Sequence, residues 1–250
     1  METTVIPKSS AVFKTLVRAD MATLFSNRRS VVISLLVPLI ILVSWKPLVK
    51  VMGGPFALST AIGIGLMSIG LMGYTLSVAR DRDKGIFQRL RVAPVPTWAI
   101  MSSRLFIQLV MIMILTLLVF IVGYQYDKIT LSTEGYLLTF AVAVIGGAVY
   151  LSLGQLIVGL IKTAETINAV TRLTYFLFIM VGMFGEMGTL GPQVKEGVHW
   201  SPYGSVKLML AASMEPAKWN HDTTITVWVC LGYIIVFAGI GIKNFKWNSK

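Results

Sequence analysis

Long apolar runs alternate with short polar ones along almost the whole chain, and the run lengths decide the fold class. A helix needs about 20 mostly apolar residues to cross the hydrocarbon core of a bilayer. On that measure the sequence predicts six spans, over residues 31–49, 54–79, 98–123, 135–161, 167–184 and 224–242. Backbone polar groups in lipid must be satisfied within the segment, so runs of this length are read as helices. Pro38 interrupts the first run, and Trp45 and Lys46 near its end suit the headgroup level. The expectation is an all-α polytopic membrane protein, with residues 1–250 forming one transmembrane domain.

Two segments outside the spans carry patterns of their own. Before the first span, Phe13, Leu16, Val17, Met21, Leu24 and Phe25 recur at helical spacing, with Lys14, Arg18 and Asp20 on other faces. Residues 9–29 therefore predict an amphipathic helix lying in the membrane interface, its basic groups near anionic headgroups. Residues 185–223 are too long for a tight turn, and Gly188, Gly191, Pro192, Pro202 and Gly204 break them up. Apolar pieces such as 206–212 are too short to cross. They fit re-entrant half-helices, because irregular backbone survives at membrane depth only when protein shields it. Glu186, Pro192, Trp200, Pro202, Val206 and Leu210 become the candidates for an outer gate.

Composition agrees with the pattern: 55% of residues are hydrophobic, 13% are charged, and the mean hydropathy is +0.76. Ordinary soluble domains carry about 25% charged residues. A formal net charge of +11 raises nucleic-acid binding, but the basic residues sit in short loops beside apolar spans rather than on a soluble face. They serve instead as a topology signal. The segment before the first span holds Lys8, Lys14, Arg18, Arg28 and Arg29, and the tail adds Lys243, Lys246 and Lys250. Cytoplasmic loops are the ones enriched in Lys and Arg. Both termini are thus expected in the cytoplasm, with only Lys46 and Lys50 dissenting. The first 30 residues are polar and basic, so no signal peptide is read there.

The most charged stretch, RDRDKGIFQRLRVAPVP, lies between the second and third spans. Its excess of Arg and Lys places residues 80–97 on the cytoplasmic side. Alternating charge together with Ile86, Phe87 and Leu90 would give a soluble partner an apolar knob and ion-pair partners. Those three side chains would otherwise be exposed without purpose.

At these residues the chain resembles the permease subunits of ABC-2 type transporters, transmembrane subunits of bacterial ABC exporters. The basic N-terminal helix, the six spans and a loop of the form R-x-x-G-x-F-x-R-L-R-x-x-P carry the resemblance. The loop match is Arg82, Gly85, Phe87, Arg89, Leu90, Arg91 and Pro94. GPQVKEGVHWSPYG before the last span and the Phe245-Lys246-Trp247 tail are similar too, whereas Glu186 departs from the apolar residue expected there. The resemblance implies that a separate ATP-binding subunit docks on residues 80–94, with ATP and Mg2+ bound on that partner and no cofactor in this chain. It implies two such subunits, a second copy of the permease or a paralogue, membrane lipid as surroundings, and residence in the bacterial inner membrane.

The chain lacks catalytic machinery of its own. GQLIVGLIKT places Leu160 and Ile161 between the second glycine and Lys162, whereas a phosphate-cradling loop needs Gly directly before Lys. Cys230 is the single cysteine, and His199 and His221 lack metal-ligand spacing. Polar residues inside spans are candidate cavity liners: Ser68, Tyr74, Thr75, Gln108, Thr116, Gln155 and Thr174. Glu186 is read as binding a cation, capping a half-helix, gating, or simply facing water, with capping or gating preferred. The expected function is export of a hydrophobic or amphipathic compound, such as a drug, antibiotic, peptide or lipid-like molecule. A secondary transporter or channel, or a non-transporting scaffold, is the alternative.

Overall fold

The computed structural model describes residues 9–26, 28–92 and 97–245. Among them the chain is helical throughout, with no strand. In order the helices are α1 (Ser9–Ser26), α2 (Arg28–Ser44), α3 (Lys46–Met52), α4 (Gly54–Met67), α5 (Leu76–Asp83) and α6 (Ile86–Val92). There follow α7 (Thr97–Asp127), α8 (Thr133–Leu160), α9 (Ala164–Glu186), α10 (Pro192–Trp200), α11 (Pro202–Met214) and α12 (His221–Asn244). A π-helical stretch, Ser68–Thr75, joins α4 to α5, so Gly54–Asp83 is one continuous rod.

Five helices are long and apolar enough to cross a membrane: Gly54–Asp83, Ala99–Asp127, Thr133–Leu160, Ala164–Glu186 and His221–Asn244. The first expected span behaves differently. α2 stops at Ser44, Trp45 leaves helical geometry at φ −91°, ψ 12°, and Pro47 opens α3. Its 17 residues reach about 25 Å at 1.5 Å per residue. The predicted run over 31–49 is therefore two helices meeting at Trp45, and the apolar stretch Val31–Ser44 is shorter than the other five.

The α4–α5 rod is the centre of the bundle. The apolar window of that rod is 83% buried, against 17% for α9 and for α12, which stand at the outside. Between spans there is little hydrophobic drive, so close backbone approach supplies the packing energy. Small residues provide it. A Cβ on Gly70 would lie 2.7 Å from the Tyr150 carbonyl carbon, and one on Gly159 2.3 Å from the Gly241 oxygen. α8 thus presses directly on the central rod at one height and on α12 at another. Gly65 of the rod likewise seats Leu115 of α7, and Gly147 of α8 seats Ile112 of α7.

The connections gather at two ends. The near end holds the α5–α6 turn, the α8–α9 break and the end of α12. The far end holds α3, α10 and α11. Pro192, Pro202 and Pro216 each open a helical segment, where a missing N–H costs nothing. Ser201 caps α11 by accepting from the Gly204 amide.

Candidate functional site

The near end begins with the last turn of the central rod. Arg80 to Asp83 stay helical, and Gly85, at φ +66°, makes the reversal into α6. A left-handed backbone there is cheap only for glycine. Among the described residues the charged island is therefore two pieces, the end of a span and a separate α6.

Its side chains divide by destination. Arg82 is 1% exposed. Its guanidinium donates from Nη1 to the Val158 carbonyl at 2.9 Å, and from Nη2 to the Ile161 and Lys162 carbonyls at 2.8 and 2.6 Å. Asp81 pairs with Arg104 of α7 at 2.6 Å. Phe87, read as an exposed knob, is wholly buried. The Arg104 guanidinium lies over its ring at 4.7 Å from the centroid, and the Phe245 ring meets it edge-on at 5.8 Å. The sequence expectation of an exposed Phe87 fails because Arg104 of α7 and Phe245 at the end of α12 cover it. Ile86 is half-buried, while Arg80, Asp83, Lys84, Gln88 and Arg89 are exposed. The side chains of Leu90 and Arg91, and Pro94, lie outside the described residues.

α1 joins this end by packing along α7, with Phe13 edge-on to Phe106 at 6.3 Å. Ser103 donates to Asp20 at 2.7 Å. Burial pushes the Asp20 carboxyl above its ordinary value, and the Ser103 bond and the Arg104 charge only partly offset it. A cavity of about 270 Å³ lies between α1, α2, the central rod and α7, with Leu16, Asp20, Tyr74, Ile86, Arg104 and Gln108 in its wall.

Of the seven candidate cavity liners, Tyr74 and Gln108 line this space. Gln155 stands behind Tyr74 and accepts its hydroxyl at 2.7 Å. Thr75 bonds the Gly70 carbonyl and Thr116 the Ile112 carbonyl, both within their own helix. Ser68 is buried in the rod, and Thr174 is half-buried on α9. Two side chains thus satisfy backbone rather than a cavity, which is the commoner fate of buried polar groups.

At the far end α11 is held deep between neighbours. Val206 and Leu210 are fully buried, and glycines on two helices make the seat. A Cβ at Gly146 of α8 would reach Val206 at 2.8 Å, and one at Gly182 of α9 would reach the Tyr203 ring at 2.5 Å. Pro192 and Trp200 are exposed, although the Trp200 carbonyl accepts from the Tyr233 hydroxyl at 2.8 Å. Pro202 is half-buried at the start of α11.

Lys207, 3% exposed, is the residue the sequence reading passed over. Its ammonium pairs with Glu186 at the end of α9 and sits 3.6 Å from the centroid of the Phe56 ring. Lys207 was detectable as the one cation inside the apolar stretch 203–214. Its partner was not, because Glu186 lies on another helix. Glu186 and Lys207 also line a second cavity of about 370 Å³, together with Phe56, Lys195, His199 and Glu215.

Among the described residues no group of His, Cys, Asp and Glu could hold a metal ion. No curated protein matches the chain. A family model described as ABC-2 family transporter protein matches residues 51–243, from α3 to the end of α12. That family comprises transmembrane transport components that are not themselves catalytic and work with an ABC ATP-binding partner. A multi-pass helical bundle with a charged turn at one end fits that description, and the chain belongs to the ABC-2 transporter family as the membrane component of an ABC transporter.

Proposed function

We propose that the chain is the permease of an ATP-driven exporter for a hydrophobic or amphipathic compound. The observation that carries this reading is the α5–α6 turn. It exposes Arg80, Asp83, Lys84, Gln88 and Arg89 while its inner face is fixed through Arg82, Asp81 and Phe87. A soluble ATP-binding subunit would grip the polar face, and the buried face would carry the displacement inward. The docking contact moves from the apolar knob to these exposed charges, with Phe87 acting as an internal strut.

In this reading the near end is cytoplasmic, as the Lys and Arg distribution favours. α2 with α3 completes a sixth crossing, and α10 and α11 form a re-entrant outer roof. Two permease copies, or this chain and a paralogue, would work with two ATP-binding subunits that hold ATP and Mg2+. The cavity beside Tyr74 and Gln108 would admit the compound from the inner side, and its mostly apolar wall supports an amphiphile. Apart from Arg104 and Arg172, the charged groups of the five long helices lie in their first or last turns, which favours this reading over a secondary transporter with a mid-membrane ion relay.

The test is reconstitution in proteoliposomes with an ATP-binding subunit. Lys84→Glu with Arg89→Glu should abolish subunit co-purification and stimulated ATP hydrolysis while the permease still folds. Full retention of both in the double variant would remove the docking assignment. Orientation is read separately by single cysteines in a Cys230→Ala background. An impermeant thiol reagent added outside should label Thr133→Cys and spare Lys84→Cys, and the reverse pattern would invert the topology.

A further inference from the structure

We propose that Arg82 is a positioning residue that joins the α5–α6 turn to α8 and α9, so that displacement of the turn reaches the two helices on the opposite side of the α8–α9 break. Asp81 and Phe87 tie the turn to α7 and to the end of α12. Arg82 extends its reach to helices far along the chain.

The geometry is specific. α8 ends at Leu160, Ile161 and Thr163 are extended, and α9 begins at Ala164. A helix end leaves its last carbonyls without intrahelical donors. Here Ile161 N–H takes the Ile157 carbonyl, and the Arg82 guanidinium takes Val158, Ile161 and Lys162. One planar cation therefore holds a carbonyl in the last turn of α8 and two in the break. Its charge also lies at the negative end of the helix dipole. On its other side, the Arg82 carbonyl accepts from the Gly85 amide at 3.0 Å. Arg82 thus has its main chain in the reversal into α6 and its side chain in the α8–α9 break.

Two further observations favour a joint over a passive cap. Among the described residues Arg82 Nε is buried with no acceptor, an incomplete satisfaction that structural caps rarely keep. α12 also rests on the same end of α8, backbone against backbone at Gly159 and Gly241, so a shift of that end is passed onward. Lysine would not substitute, since a point-like ammonium lacks the fixed fork of donors.

This joint rests on the proposed coupling role only for the origin of the force, so it is tested on the full chain alone in lipid nanodiscs, without any ATP-binding subunit. A bulky maleimide on Lys84→Cys, in a Cys230→Ala background, displaces the turn. Amide hydrogen exchange at residues 164–167 reads the response. With Arg82 present, the label should change that exchange by at least about fivefold, the lower range of ordinary site-to-site coupling. In Arg82→Lys and Arg82→Gln the label's effect should vanish, with exchange in the middle of α8 unchanged. A glycine inserted between Lys162 and Thr163 should uncouple 164–167 while the end of α8 still responds, and it serves if either substitution fails to fold. No response in the Arg82 chain, or a response that survives in either substituted or inserted chain, overturns the proposal. Failure of an ATP-binding subunit to dock would leave this result standing and would count against the functional reading alone.

Discussion

Among the described residues each end of the bundle buries one cation, and the two are satisfied in different ways. Arg82 is held by three carbonyls of the main chain. Lys207 is held by one carboxylate and one aromatic face, both on side chains. A carbonyl moves only when its helix moves, whereas a glutamate at a helix end can rotate into the adjoining cavity. The same requirement, that a buried charge find partners, therefore gives a rigid linkage at the near end and a releasable one at the far end. Motion entering at the α5–α6 turn would meet stiff connections first and the breakable contact last.

Removing the Lys207 partner should have the largest effect on this contrast. Glu186→Ala leaves the ammonium buried with only the Phe56 ring, and should destabilise the chain by about 3 kcal/mol, the low end for a broken buried pair because Glu186 is 34% exposed. Adding Lys207→Met should restore most of that loss in thermal unfolding of the detergent-solubilised protein. A double variant no more stable than Glu186→Ala would mean that Lys207 is not what the carboxylate serves.

A smaller effect is expected midway between the ends, where Tyr74 and Gln155 join the central rod to α8 through a single side-chain bond. Tyr74→Phe should cost about 1 kcal/mol and leave exchange at residues 164–167 unaltered. Loss of protection there would place the link between rod and α8 at Tyr74 rather than at Arg82.

The smallest effect concerns Asp20, a near-end charge that accepts from the Ser103 hydroxyl and lies near Arg104. Its folded proton affinity is above the ordinary carboxylate value, so the folded state binds the proton more tightly than the unfolded one. Protonation then stabilises the fold, and that contribution is lost as pH rises from the ordinary value through the raised one. Asp20→Asn should remove this acidic-range slope and shift neutral-pH stability by no more than about 0.5 kcal/mol. An unchanged slope in the variant would move the titration to another group.

The long helices were legible because hydropathy is a local property: five of the six predicted spans correspond to helices of sufficient length. The family was legible from the near-end loop, since its residues are contiguous. Burial within that loop was not. Phe87 is covered by Arg104 and Phe245, and Arg82 by the end of α8, none of which lies beside it in sequence. The break at Trp45 was hidden for another reason. Pro38 sits inside an unbroken α2, while Pro47 opens the next helix, so a proline alone does not tell which of the two ends a span. Lys207 was hidden because a lysine in an apolar stretch gains its meaning only from a partner on another helix.

The edge-on contact of Phe245 with Phe87 has a practical consequence for anyone handling this protein. A group attached at the end of α12, at the exposed Asn244, would stand beside the charged turn, because the ring of the next residue meets Phe87 at a centroid distance of 5.8 Å. A large purification tag at that position would stand in the way of a docking subunit and mimic a loss-of-binding variant. A small fluorophore there would report the arrival of that subunit by quenching or energy transfer, which makes the end of α12 the place for a sensor rather than for a handle.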